Sequence, residues 1–202
     1  IELGVKIGEV KKGKKGVTVA YTDAKGDAQT LECDKLIVSI GRVPNTIGLN
    51  PEAVGLKLDE RGAIVVDDDC KTNLRGVWAV GDIVPGVQLA HRGFAQGIVV
   101  AERIAGLDPA PVDDALVPRV TFCEPEIASV GLTEARARQV HGADAVTTAE
   151  FNVAGNAKSQ ILGAQGFVKL VSLKDGPILG FHAIGARMGE QVGEGQLMVS
   201  WE

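Results

Sequence analysis

Cysteine is scarce in this sequence, and the three present, Cys33, Cys70 and Cys123, stand far apart. Their spacing matches neither a zinc site nor a close redox pair, so no metal is expected and all three read as small buried hydrophobes in a reducing compartment. Long apolar runs are missing too: the longest uncharged stretch, "GFAQGIVVA" from Gly93 to Ala101, is far too short to cross a bilayer. No signal peptide opens the chain, so the expected location is cytoplasmic, with no membrane partner. Positive charge is in deficit, with a net charge of -5, which argues against a nucleic-acid partner. The one basic cluster, "KKGKK" at Lys11 to Lys15, has no aromatics interleaved and is punctuated by Gly13 and Gly16. It reads as a solvated hairpin turn.

What is present is enough apolar material for a real core. The 202 residues are 45% hydrophobic, which suits one large domain or two small ones. The first third reads as a meander: "GVKIGEV", then "GVTVAY" with Val17, Val19 and Tyr21 alternating, a turn at "DAKGD", and "QTLEC". It runs into "DKLIVSIG", a nearly continuous apolar stretch of the kind that forms a strand buried on both faces and ending at Gly41. After a loop rich in turn formers, "AIVVDD" and "GVWAVG" predict two more short strands. A helix follows, with Phe94, Ala95, Ile98, Val99, Ile104 and Ala105 as its apolar side and Glu102 and Arg103 as its polar one, closed by Gly106.

The Pro-rich stretch from Asp108 to Val112 is the expected domain boundary. Beyond it, "RVTFCEPEIASVGLT" predicts one or two strands, Thr133 opens a helix with Glu134 in its first turn, and "AVTTAEFNV", "GFVKLVSL" and "ILGFHAIGA" predict three more strands. A closing amphipathic helix carries Met188, Val192 and Val199 at helical spacing and runs to Trp201 and Glu202. The fold class expected is α/β before about residue 112 and α+β after it, with helices on a mostly antiparallel sheet. The chain opens on Ile1 within a strand pattern and stops within a helix pattern, so it is expected to be part of something larger.

One short segment carries chemistry. In an open α/β sheet, ligands gather where strands end and helices begin, because helix amides there lack internal partners and the dipole favours negative charge. "VWAVGD" has that shape: Gly81 lets a ligand approach the backbone, and the Asp82 carboxylate can take charge-assisted hydrogen bonds from the hydroxyls of a sugar or sugar alcohol. A lone Gly-Asp is equally a turn former, and spacing does not decide between the two. The helix starting near His91 aims free amides at the same place, which suits a ring system that gains negative charge on reduction. His91 itself reads equally well as an ordinary first-turn residue, and His141 and His182 as surface or core histidines, since no partner stands at ligand spacing.

Four segments in order, "SIGRVPNT", "VWAVGDIVPGVQLAHRGFAQGIVVAERIAG", "EPEIASVGLTE" and "GARMGE", carry a family likeness over essentially the whole chain. The sequence resembles the later part of the flavin-dependent pyridine nucleotide-disulfide oxidoreductases, and within them the dihydrolipoyl dehydrogenase type. The resemblance implies a flavoprotein that oxidises protein-bound dihydrolipoamide with NAD as acceptor, with FAD and NAD as cofactors. It also implies a homodimer that serves the lipoyl-bearing acyltransferase of a 2-oxo-acid dehydrogenase complex. Asp82 matches the aspartate that binds the ribityl part of FAD, Gln88, Leu89, Ala90 and His91 match the segment beside the flavin ring, and Gly41, with Arg42, matches the strand end that closes the NAD site. By the same likeness, residues 1–43 end the NAD-binding domain, 44–112 are the later part of the FAD-binding and central domains, and 113–202 are the interface domain, expected to be truncated at its C-terminus. The Pro-rich boundary, the apolar strands and the apolar surface of the last helix place Met188, Val192 and Trp201 near an expected two-fold axis.

The departures matter as much. The family's two Gly-rich dinucleotide turns, its redox cysteines and its His-Glu acid/base pair are not in this sequence, so no catalytic residue is assigned and this stretch alone is expected to be inactive. Two other readings stay open: a sibling disulfide reductase acting on glutathione or mercuric ion, and a non-catalytic dimerisation module.

Overall fold

In the computed structural model, which describes residues 1–201, the chain divides into two compact units, Ile1–Arg42 and Val43–Glu202. The first unit is the expected meander. Strands β1 (Lys6–Lys12), β2 (Val17–Thr22) and β3 (Ala28–Cys33) pair antiparallel in chain order, with Val10 opposite Val19 and Val19 opposite Leu31. The lysine cluster forms the first turn, closed by the Gly13 amide donating to the Gly16 carbonyl at 2.8 Å. Asp23 closes the second by accepting from the amides of Lys25 and Asp27 at 2.9 and 3.0 Å, as a carboxylate does when it mimics a turn's own backbone bond.

Residues 35–41 depart from expectation. The apolar stretch is not a strand, and Ile37 and Ile40 are 87% and 93% exposed. A strand buried on both faces takes its hydrogen bonds and its cover from flanking strands, and among the described residues nothing pairs with this segment. Gly41 therefore ends no strand, although its φ of 126° does need glycine. The strands expected at "AIVVDD" and "GVWAVG" are also corrected. Each is reduced to one isolated bridge, Leu58 with Ile64 and Lys71 with Trp78, because these short turns fold back on themselves instead of entering a sheet.

In the second unit, α1 (Pro51–Val54) precedes a small core of Ile64, Ala79 and Val84. Helix α2 (Ala90–Ile104) comes next, then α3 (Glu134–His141), α4 (Ala157–Leu162) and α5 (Val192–Ser200). The strands β4 (Arg119–Thr121), β5 (Glu126–Gly131), β6 (Val146–Asn152), β7 (Phe167–Leu173) and β8 (Ile178–Gly185) form one wholly antiparallel sheet in the order β4-β5-β8-β7-β6. Thr133 caps α3 as expected, accepting from the Arg136 amide.

Helix α5 packs on β5 and β8 over a core of Ala128, Val130, Phe181, Ala183, Met188 and Val192. Gly195 lies against the Phe181 ring, where any side chain would collide. Met188, which sits in a 3-10 turn before the helix, and Val192 are thus consumed by their own unit's core and are not free to line a two-fold axis. Leu197, Met198 and Trp201 are the exposed apolar residues of this end. Glu202, the last residue of the expected closing helix, lies outside the described residues. No helix among the described residues is long and apolar enough to cross a membrane.

Candidate functional site

Asp82 sits in a single 3-10 turn, Gly81–Ile83, that ends the "VWAV" segment and faces the start of α2. The turn is held from two sides. Gln96, one of the buried residues of α2, accepts the Gly81 amide on its side-chain oxygen at 2.8 Å, and the Ile83 carbonyl accepts the Ile64 amide at 2.8 Å. Gly93 lets helix and turn touch, since a side-chain carbon there would lie 3.1 Å from the Gly81 α-carbon. Gly81 has φ +79° and open space on its outer face. The Asp82 carboxylate is exposed, and among the described residues no group bonds to it.

The next residues close on the same place. Gln88 donates from its side-chain nitrogen to the Asp82 carbonyl at 3.5 Å, a long contact, and Leu89 is the N-cap of α2 with extended backbone and no side-chain cap bond. The amides of Ala90 and His91 therefore enter the helix without internal partners, at the positive end of its dipole. The His91 ring is turned the other way, its Nε2 2.8 Å from the Pro118 carbonyl. Asp82, Gln88, Leu89, Ala90 and His91 are thus brought together, while Gly41 belongs to the first unit in exposed coil. Bare glycine, a free carboxylate and two unpaired amides fit an elongated ligand carrying hydroxyls at one end and an electron-rich ring at the other.

Helix α2 buries a different side from the one its apolar residues suggest. Phe94 and Ile98 are 74% and 60% exposed, and Ile104 is also exposed, whereas Arg92, Gln96 and Val99 are buried. Each polar member of that inner side has a partner: Arg92 pairs with Asp114, Gln96 takes the Gly81 amide, and Arg103 pairs with Asp69 and Asp108. Partnering offsets most of the cost of burying a polar group, leaving one Nη of Arg92 and the Nε of Arg103 unpaired, and a hydropathy pattern assumes that cost in full. A recess of about 430 Å³ behind the turn is lined in part by Asp67, Cys70, Arg92, Gln96 and Asp114, and Asp82 is not among its walls. Burial pushes the Cys70 thiol up from its ordinary value despite the nearby Arg92 charge, so it stays protonated and unreactive near neutrality. Contrary to the expectation that all three cysteines are buried, Cys33 is only half-buried, at the end of the edge strand β3, and Cys123 is exposed, in the irregular stretch between β4 and β5. All three thiols are free.

The family described as "Pyridine nucleotide-disulphide oxidoreductase" matches residues 1–97, and its "dimerisation domain" matches residues 117–202. The chain is 48% identical over 194 residues to a dihydrolipoyl dehydrogenase of Cupriavidus necator, covering 95% of this chain and 40% of that protein. It is 39% identical over 186 residues to a dihydrolipoyl dehydrogenase of Bacillus subtilis, covering 91% and 39%. Among solved structures it is similar to LpdA from Mycobacterium tuberculosis, with a TM-score of 0.85, 27% identity, and 98% of this chain and 42% of that one covered. It is also similar to the Cu(II) complex of the HOCl-induced flavoprotein disulfide reductase RclA from Escherichia coli, with a TM-score of 0.82, 25% identity, and 96% and 43% covered. The chain spans about 40% of the length of the curated relatives it matches.

Proposed function

Because the chain belongs to the pyridine nucleotide-disulphide oxidoreductase family, we propose that it supplies the flavin-binding and subunit-joining segments of a dihydrolipoyl dehydrogenase. The intact protein oxidises dihydrolipoamide carried on the acyltransferase of a 2-oxo-acid dehydrogenase complex, with FAD and NAD as cofactors. The observation that carries this is the free Asp82 carboxylate beside the uncapped start of α2. When bound, FAD supplies the means of passing two electrons from a dithiol to a nicotinamide.

The chain's own residues hold and tune. Asp82 accepts hydrogen bonds from the hydroxyls of the ribityl chain, and Gly81 keeps the backbone bare where that chain passes. Gln88, Leu89, Ala90 and His91 would hold the ring of a bound flavin, and the two unpaired amides at the head of α2 would favour negative charge beside them. Gly41 and Arg42 contribute to the NAD side. We assign no reacting group to this stretch, where Cys33, Cys70 and Cys123 are free thiols.

The subunit-joining role rests on the dimerisation domain at 117–202, and we assign the two-fold contact to the exposed apolar residues Leu197, Met198 and Trp201. We draw the boundary between flavin segment and interface domain in the stretch 108–112, a reading supported by its position between the two family matches.

Asp82→Ala in the intact protein tests the flavin assignment. Each charge-assisted bond lost should cost about 1.5 to 3 kcal/mol, or roughly ten- to a hundredfold in flavin affinity. A variant that purifies with its full flavin absorbance and unchanged affinity would show that the carboxylate holds nothing.

A further inference from the structure

Arg92 is only 7% exposed, yet it is not an ordinary core residue. Its Nε donates to one oxygen of the Asp114 carboxylate, and one Nη donates to the Pro85 carbonyl at 2.9 Å. The other Asp114 oxygen accepts the Val87 amide at 3.2 Å. Gly86, between them, has φ +120°, and a side chain there would land on the guanidinium and the carboxylate. Residues 85–87, which lead directly into Gln88–His91, are therefore clamped by one ion pair.

The far end of the clamp lies just ahead of the dimerisation-domain match, which begins at residue 117, and is tied to it. Asp114 opens the 3-10 turn Asp114–Leu116, which Asp113 caps by accepting the Ala115 amide at 2.8 Å. Gln196 of α5 donates to the Leu116 carbonyl of that same turn at 3.1 Å. His91 adds a second tie at Pro118. A continuous path of bonds thus runs from the segment at the head of α2 to helix α5, within the dimerisation-domain match.

Energetics argue that the pair is kept for geometry. The second Nη of Arg92 is buried without a partner, and an ion pair whose cation is buried and partly unsatisfied, while its carboxylate is 35% exposed, adds little to the stability of a fold. Its asset is direction: a planar fork reaching Pro85 and Asp114 at once fixes the loop in a way that an apolar contact cannot.

We propose that Arg92 and Asp114 are a positioning pair: they set where Gln88–His91 lie against the cofactor and make that position depend on the subunit-joining half. This rests on the flavin reading given above. In the intact flavin-loaded protein, Asp114→Asn, which keeps the shape and removes the charge, is expected to lower flavin affinity about tenfold. It should also shift the flavin's midpoint potential and visible absorption bands while leaving the dimer intact. Arg92→Lys, which keeps the charge and loses the fork, should do the same. A pair that merely stabilises the fold would lower the melting temperature and leave potential and bands where they were, and that result overturns the proposal. If the Arg92 variants do not fold, the Asp114→Asn spectrum and potential decide alone. A wild-type protein that binds no flavin removes the flavin reading and this inference together. A wild type whose flavin is lost in Asp82→Ala but spectrally unchanged in Asp114→Asn leaves the first standing and sinks only the second.

Discussion

Residues 178–185 and residues 35–41 are both mainly apolar runs that end on a glycine, yet β8 lies at the centre of a five-stranded sheet while the other is coil open to solvent. Composition does not separate them. What separates them is company: β8 pairs with β5 on one side and β7 on the other, and α5 covers Phe181 and Ala183, whereas 35–41 has neither strand nor cover within the described residues. A hydrophobic run states that a strand would be buried if it formed, and its neighbours decide whether it forms.

The largest test of that contrast is Phe181→Ala. The ring is 5% exposed and fills the space that Gly195 leaves on α5. Its removal opens a cavity between helix and sheet and should cost about 3 to 5 kcal/mol. Urea unfolding followed through Trp78 would record it, and a loss below about 1 kcal/mol would mean that α5 re-seats and the packing is looser than described.

A smaller effect is expected at Thr133, whose hydroxyl accepts the Arg136 amide and starts α3. Thr133→Ala should cost about 1 kcal/mol. The helix beneath, with Ala137 buried against Val146 and Val171, should persist in circular dichroism; its disappearance would mean that the cap, and not the packing, holds it.

Glu134 tests electrostatics in the same turn. Its carboxylate accepts from Lys169 at 2.6 Å and from Arg138 at 2.8 Å, and these bonds, Lys169 first, hold it below the usual glutamate range. A group whose folded value is depressed adds stability above its unfolded value and loses it as pH falls through the folded one. Wild type should therefore exceed Glu134→Gln in stability at neutral pH. The gap should close as the solution is acidified below about pH 4.3 and shrink with added salt, because the group is solvent-accessible. A gap that stays constant down to low pH would deny the ion pairs any role.

The same contrast explains what could be read beforehand. The meander, β8 and α3 announce themselves locally, through alternation in "GVTVAY", the Asp23 turn and the Thr133 cap. Helix α4 was readable from its cap signals, Asn156 accepting the Lys158 amide before it and Gly163 at positive φ after it, in a segment whose apolar content is too low to draw notice. The buried side of α2 was not readable, because Arg92 becomes a core residue only through Asp114, twenty-two residues away, and no periodicity encodes a pairing of that kind. At the site, Asp82 stands out as a carboxylate after glycine, while Gln96 and Arg92, which hold the turn and loop around it, look like solvent-facing positions until the fold brings their partners in.

The smallest effect should come from Ile37→Ser. With the side chain almost wholly in water, removing it forfeits little burial, and a surface substitution of this kind stays within about 0.5 kcal/mol. The residue belongs to the first unit, so the opening free energy of the Val19 amide is the measurement, since Val19 is buried between β1 and β3 and reports on that unit alone. A change above about 1.5 kcal/mol would mean that 35–41 packs on the meander after all. In a longer chain that supplies strands on either side, the isoleucine would be enclosed, and the same change should cost about 2 to 5 kcal/mol. The difference between those two measurements, made on one side chain, is the contribution of neighbours to turning an apolar run into a strand.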